Sequence, residues 1–297
     1  MAPHLPEPPI AAMILAAGRG ERMRPLTDAT PKPLLSVCGK PLMQWPLEAL
    51  ARGGFDRVVV NTAWLGEQIP EMFGNVFTLQ PSQNIPTTLS IEEQSEAFVQ
   101  IQYSHEGHDF GAALETAGGI ARALPLLCPA LVDADPNTSA NAAATTSTRQ
   151  SGDVFWVLAG DVFAPDFVFR QADVARFVAS GKLAHLWLVP NPAHNSRGDF
   201  GLTPNPGSNG VTGLALNLPD DDRQVRYTYS TIGLYRAALF APPWCDIAFG
   251  NPQGIKAPLA PLLRAAMAHQ LVSAELYTGR WTDVGTPQRL QQLNMPV

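Results

Sequence analysis

Three arginines crowd a glycine loop in the segment LAAGRGERMRPLT, Leu15 to Thr27. Gly18 and Gly20 let a backbone come close to a phosphate chain, and amides at a strand-to-helix turn point at anions. Arg19, Arg22 and Arg24 add cations that a purely structural turn does not need. No G-K-[ST] follows, which excludes a Walker A loop, and Met23 stands where a dinucleotide fingerprint needs its third glycine. Downstream, Pro31 and Pro33 of TPKPLL stiffen the backbone on either side of Lys32 and so reduce the entropy lost in holding that amine in one place. A solvated lysine in a rigid loop is the competing reading.

Two carboxylates complement these cations. VLAGDV places Asp161 just past the end of an apolar strand, where open α/β sheets bind ligands and magnesium, or where an aspartate caps the next helix. WTDVGTP offers Asp283 before a glycine turn, with the same two readings. LETAGGI, Leu114 to Ile120, opens a helix whose first amides can meet a polar ligand, or whose small residues serve helix–sheet packing. In HNSRGDFGL, Gly198 and Gly201 permit close backbone approach. HEGHD, His105 to Asp109, has its histidines three apart with a glycine between them, which is not the H-E-x-x-H zinc pattern.

The elements that must hold these residues alternate. IAAMILAAG reads as a strand, PLMQWPLEALARGG as a helix and DRVVV as a second strand, the opening of a βαβ unit. WLGEQIPEMFG (helix), FVQIQYS (strand), ALETAGGIARALPLL (helix), DVFWVLAGD (buried strand), FRQADVARFVASG (helix) and KLAHLWLVP (strand) continue it. This predicts an α/β fold with a doubly wound, mostly parallel, Rossmann-like sheet and helices on both faces. After Pro190, FGLTP, GVTGLAL and VRYTYSTIGLY predict a small β-rich lobe, followed by the helix LAPLLRAAMAHQ, the strand LVSAELY and a last helix begun by Pro287. The expected organisation is a single domain over 1–297, with one part at 10–190, a lobe at 191–297 and a flexible low-complexity insertion at 134–152. Residues 79–96 also fall outside the rhythm.

Composition narrows the partners. Only 15% of the 297 residues are charged, against roughly 25% in an average domain, and 28 are proline. The net charge of −6, with 20 basic residues dispersed along the chain, leaves no footprint for a nucleic-acid backbone. Cys38, Cys128 and Cys245 form no C-x-x-C pair, which argues against a disulfide framework or thiolate zinc site and fits a reducing cytosol. The start MAPHLPEPP lacks a cationic n-region, and no run approaches the roughly 18 apolar residues of a membrane helix, so a soluble, unprocessed protein is expected.

In order and spacing, LAAGRGERMRPLT, TPKPLL, GKPL, ETAGGI, GD, GDFGL and WTDVGTPQRL resemble the sugar-1-phosphate nucleotidyltransferases, which make NDP-sugars from an NTP and a sugar 1-phosphate. The similarity runs from Ile10 to Leu293. Within that family, ERMRP, NTAWL, LETAGGI and HNSRGDFGL are most similar to the branch that couples UTP to N-acetylmuramate 1-phosphate in cytoplasmic peptidoglycan recycling. The resemblance implies catalytic roles for Arg22 and Lys32 on the phosphates. It implies nucleotide contacts at Ala16, Ala17, Gly18, Arg19, Gly20, Thr116 and Ala117, sugar contacts at Asp199, Gly201 and Thr231, and Mg2+ on Asp161 and Asp283. A monomer or small homo-oligomer acting on small molecules follows. Ala159 replaces a common asparagine, and TYSTIGLY matches the sugar segment loosely. The rival expectations are a thymidylyl-, guanylyl- or uridylyltransferase for glucose or mannose 1-phosphate, or a nucleotide-sugar-binding subunit without turnover. An NAD-dependent oxidoreductase fails on the missing third glycine.

Overall fold

The computed structural model describes residues 10–79, 97–132, 151–205 and 211–295. The two stretches read as insertions lie almost entirely outside them. The described residues form fourteen strands: β1 (Ala12–Leu15), β2 (Ser36–Val37), β3 (Lys40–Pro41), β4 (Arg57–Thr62), β5 (Val76–Thr78), β6 (Phe98–His105), β7 (Val154–Ala159), β8 (Val162–Phe163), β9 (Ala184–Val189), β10 (Phe200–Pro204), β11 (Thr212–Leu216), β12 (Arg226–Arg236), β13 (Val272–Leu276) and β14 (Thr282–Asp283). The helices are α1 (Gln44–Arg52), α2 (Gln68–Phe73), α3 (Glu106–Phe110), α4 (Glu115–Leu127), α5 (Gln171–Ser180), α6 (Leu259–Ala268) and α7 (Pro287–Leu293).

Ten strands form one sheet in the order β10-β11-β13-β9-β12-β7-β1-β4-β6-β5. The expected parallel core is present, with β1 parallel to β4 and β7, and β4 parallel to β6. The two-residue period of the strands explains why helices cover both faces. Ala12 and Ile14 of β1 point into a core with Leu47 and Leu50 of α1 and Val174 and Phe177 of α5. Met13 points into the opposite core, with Ile120 and Leu124 of α4 and Leu263 and Met267 of α6. Residues buried on both faces read as continuous apolar runs, as in the VFWVL of β7.

The β-rich stretch expected after Pro190 joins the main sheet. β12 runs antiparallel between β7 and β9, and β13 pairs with β9 in parallel, so the chain after Pro190 is built into the main sheet. Only β10 and β11 form its far margin. Ile232, Leu234 and Tyr235 of β12 are all buried, and a strand this apolar is accommodated beside β7 rather than at an edge.

The chain leaves β1 toward β4 and β6, then returns through α4 to β7 on the other side of β1. At such a reversal the loops beyond adjacent strands diverge and open a crevice at their carboxyl ends. The LAAG loop follows β1 and Asp161 follows β7, which brings both to that opening. Among the described residues no helix is long and apolar enough to cross a membrane.

Candidate active site

A cavity of about 690 Å³ lies at this opening, lined at one end by Ala16, Ala17, Gly18, Asn61 and Thr116 and at the other by Asp199, Phe200, Tyr229, Thr231 and residues of α6. Lys32 and Asp161 line the stretch between. A Cβ built on Gly18 meets nothing within 4 Å, so protein packing does not demand glycine there. A ligand against the backbone would. Gly20 serves the turn instead: its φ is 67°, and a Cβ on it would lie 2.9 Å from Thr27 Cγ2.

The three loop arginines separate by environment. Arg24 pairs with Asp28 at 2.6 Å, and Arg19 pairs with Glu21 at 3.3 Å while its guanidinium lies 4.3 Å from the centre of the Trp64 ring. Arg22 forms no ion pair among the described residues. It reaches the neighbourhood of Gly285, where a Cβ would sit 3.0 Å from Asp283 Oδ2, 3.1 Å from Arg289 Nη1 and 3.4 Å from Arg22 Nη2. Lys32 is not the solvated lysine of the competing reading. It is 8% exposed, and its ammonium pairs with Asp161.

Neither aspartate caps a helix. Asp161 leads into β8, and β8 pairs with β14, so Asp161 and Asp283 sit at one short ladder, with Val284 N–H donating to the Asp161 carbonyl at 2.9 Å. The cap of α7 is Thr286, which accepts from Arg289 N–H. Arg289 donates from Nη1 to Asp283 Oδ2 and, at 2.9 Å, to the Asp283 carbonyl. His194 Nε2 lies 2.8 Å from Asp283 Oδ1, an ion pair when the imidazole is protonated.

The end of the cavity at Ala16 is fixed by a buried network. Ala16 N–H donates to Asn61 Oδ1 at 2.8 Å, Asn61 Nδ2 donates to Glu106 Oε1 at 2.6 Å, and Leu114 N–H donates to Glu106 Oε2 at 2.7 Å. Burial pushes the Glu106 carboxyl above the usual range, and these two donors oppose the shift. One side chain thereby ties the loop after β1, the end of β4 and the start of α4. HEGHD therefore supplies a buried acid, and the described residues hold no cluster of three or more metal-ligating side chains.

The packing reading of LETAGGI holds for its glycines. A Cβ on Gly119 would meet Glu106 Oε1 at 2.5 Å, and one on Gly118 would meet the Ile255 carbonyl at 2.4 Å, so these glycines are required by packing. The amides of Ala117 and Gly118 donate to the Ala257 carbonyl at 2.9 and 3.1 Å. Ala117 is fully buried with its amide engaged; Thr116 and Glu115 face the cavity.

At the other end, Asp199 Oδ2 accepts from Tyr229 N–H at 2.8 Å, and Tyr229 shares a 2.6 Å hydroxyl–hydroxyl hydrogen bond with Tyr235. Gly201 stands outside the lining, because its close neighbour is Leu218, whose Cδ1 would lie 2.6 Å from an added Cβ. Thr231 lines the cavity at a φ of 64°, within the irregularity between Tyr229 and Gly233 of β12, and Glu115 lines it at 60°. A β-branched residue at positive φ is a true outlier, and such strain gathers where side chains are aimed at ligands. Glu106, Arg289, Glu115 and Tyr229 are site residues that motif reading missed.

Glu106→Gln tests the network. Asn61 must turn its Nδ2 toward Glu106, because its Oδ1 is held by Ala16 N–H. A glutamine amide then places a donor against a donor at one of its two contacts. The expected cost is about 1–3 kcal/mol, read as a lower urea midpoint with an unchanged slope. An unchanged midpoint would show that the network contributes nothing.

A family profile described as Nucleotidyl transferase matches residues 11–297. The chain is 41% identical over 286 residues, covering 95% of both chains, to the N-acetylmuramate alpha-1-phosphate uridylyltransferase of Neisseria meningitidis serogroup B. It is 26% identical over 93% of its length to the catalytic subunit beta of mannose-1-phosphate guanylyltransferase of Xenopus tropicalis, of which it covers 61%. In fold it is similar to the UDP-glucose pyrophosphorylase of Acinetobacter baumannii, with a TM-score of 0.62 and 14% identity over 96% of this chain and 92% of that one.

Proposed function

The chain belongs to the nucleotidyl transferase family, and from that premise we propose that it transfers a uridylyl group from UTP to N-acetylmuramate 1-phosphate, releasing pyrophosphate and UDP-N-acetylmuramate. The observation that carries the chemistry is the convergence of Arg22, Lys32, Asp161 and Asp283 at one opening of the sheet. The substrates are supported by the 41% identity to the meningococcal enzyme along almost the whole chain. The product is a cell-wall precursor nucleotide, which puts the reaction in cytoplasmic peptidoglycan recycling. Residues 10–190 hold chiefly the nucleotide and 191–297 chiefly the sugar, in a monomer or small homo-oligomer.

The reaction is an in-line displacement. An oxygen of the sugar 1-phosphate attacks the α-phosphorus of UTP, the bond to the β-phosphate oxygen breaks, and pyrophosphate departs with that electron pair. The phosphate monoester is already an anionic nucleophile, so the protein needs neither a general base nor a covalent intermediate. Its work is to bring two polyanions together and meet the charge that grows on the leaving group. Arg22, with no ion-pair partner among the described residues, accepts the departing pyrophosphate, and Lys32, braced between two prolines, orients the sugar phosphate. Ala16, Ala17, Gly18 and Thr116 face the nucleoside. Asp161 and Asp283 would hold magnesium, which when bound supplies positive charge to the phosphates. Two hard carboxylates brought to one short ladder suit an ion that takes one or two carboxylates and completes its shell with phosphate and water.

Pyrophosphate release measured across ATP, CTP, GTP and UTP, each with N-acetylmuramate, glucose and mannose 1-phosphates, tests the assignment. The highest kcat/KM is expected for UTP with the muramate compound. Preference for a hexose 1-phosphate overturns the sugar assignment, preference for another NTP overturns the base, and no turnover with any pair identifies a binding subunit.

A further inference from the structure

The stripe of α6 that faces the cavity is apolar until its last member. Leu259, Ala260 and Leu263 line the wall, and Arg264 follows on the same face, one turn beyond Ala260. Asp199, Phe200 and Tyr229 line the same cavity, and the proposed function assigns them to the sugar. Arg264 is exposed and forms no ion pair among the described residues. The cavity's other cation, Lys32, is engaged by Asp161. Each Asp199 oxygen already accepts a hydrogen bond, from Tyr229 N–H and from Asn195 Nδ2 at 3.2 Å, and neither partner is charged. Of the four carboxylates lining the cavity, Asp161 pairs with Lys32 and Glu106 is enclosed by Asn61 and Leu114 N–H, so Glu115 and Asp199 remain, beside one guanidinium with no ion pair among the described residues. A neutral hexose has no use for that guanidinium, and a sugar that brings a second negative charge needs it, because Asp199 would otherwise repel it.

N-acetylmuramate differs from N-acetylglucosamine only by a lactyl ether at O3, which ends in a carboxylate. Resting on the substrate reading above, we infer that Arg264 binds this lactyl carboxylate through its planar fork of N–H donors, while Leu259, Ala260 and Leu263 form the apolar wall that shields the pair from water. Arg264 thereby sets specificity for an acidic sugar and takes no part in phosphoryl transfer.

The test compares wild type, Arg264→Gln and Arg264→Lys in UTP-dependent pyrophosphate release, with N-acetylmuramate 1-phosphate and N-acetylglucosamine 1-phosphate as alternative acceptors. Arg264→Gln is expected to lower kcat/KM for the muramate compound about 10- to 100-fold, the range of one charge-assisted hydrogen-bonded pair, mainly through KM. The value for the glucosamine compound should hold or rise, and Arg264→Lys should recover part of the loss as a point charge without the fork. Equal losses on both acceptors, or none on either, overturn the inference and leave the substrate reading intact. Wild type that prefers the glucosamine compound removes the substrate reading, and this inference with it.

Discussion

Arg22→Ala lowers kcat by about 10²- to 10³-fold, leaves the KM for UTP within a few-fold, and changes stability by less than about 0.5 kcal/mol. The three parts of this expectation share one origin. Arg22 is solvent-facing and has no ion-pair partner among the described residues, so removing it strands no buried group. In the proposed mechanism its charge is most needed when pyrophosphate gathers negative charge on leaving, an interaction stronger in the transition state than in the ground state, so the loss is expected in kcat. Arg24→Gln is the control, because Arg24 is spent on the exposed Asp28 pair and turnover should be nearly unaffected. Steady-state kinetics with thermal unfolding checks both variants. A kcat for Arg22→Ala near that of wild type would remove Arg22 from the mechanism.

Asp161→Asn produces a loss of similar size in kcat but reaches it differently. The substitution keeps the volume and removes the charge facing Lys32, which is 8% exposed. Lys32 is then left desolvated without an opposite charge, and stability should fall by about 1–3 kcal/mol. The Asp161 side chain is 37% exposed, which keeps the penalty below that of a fully buried pair. Adding Lys32→Met removes the stranded charge, so the double variant should be more stable than the sum of the two single effects while remaining inactive. Additive stabilities would show that the pair is not coupled, and a kcat within a few-fold of wild type would exclude the carboxylate from the site.

Much of this site was legible because its chemistry sits on short segments directly after strands. A loop of glycines and arginines after β1 and an aspartate after β7 are local patterns, and the rule that open sheets bind at their carboxyl ends places both. What stayed hidden depends on pairs distant in sequence. Nothing about Glu106, inside a segment that drew attention for its histidines, announces that it is enclosed by Asn61 and the amide of Leu114. Arg289 is one arginine on a terminal helix, with no signal until β14 pairs with β8 and turns Asp283 toward it. The position of β12 is equally non-local: its eleven residues read as a strand anywhere, and only the antiparallel fit between β7 and β9 makes it central. Gly201 carries a different lesson, because a glycine in a polar loop invites a ligand while its nearest neighbour is Leu218. The positive φ of Glu115 and Thr231 has no sequence mark, since neither residue type favours that region.

The most direct measurement follows the label from UTP carrying a labelled α-phosphorus, mixed with N-acetylmuramate 1-phosphate, magnesium and the protein. Direct transfer places the label in UDP-N-acetylmuramate, with one pyrophosphate released for each label transferred and none bound to the protein. Label retained on the protein, or recovered as UMP without the sugar nucleotide, contradicts direct transfer between two phosphates held in this cavity.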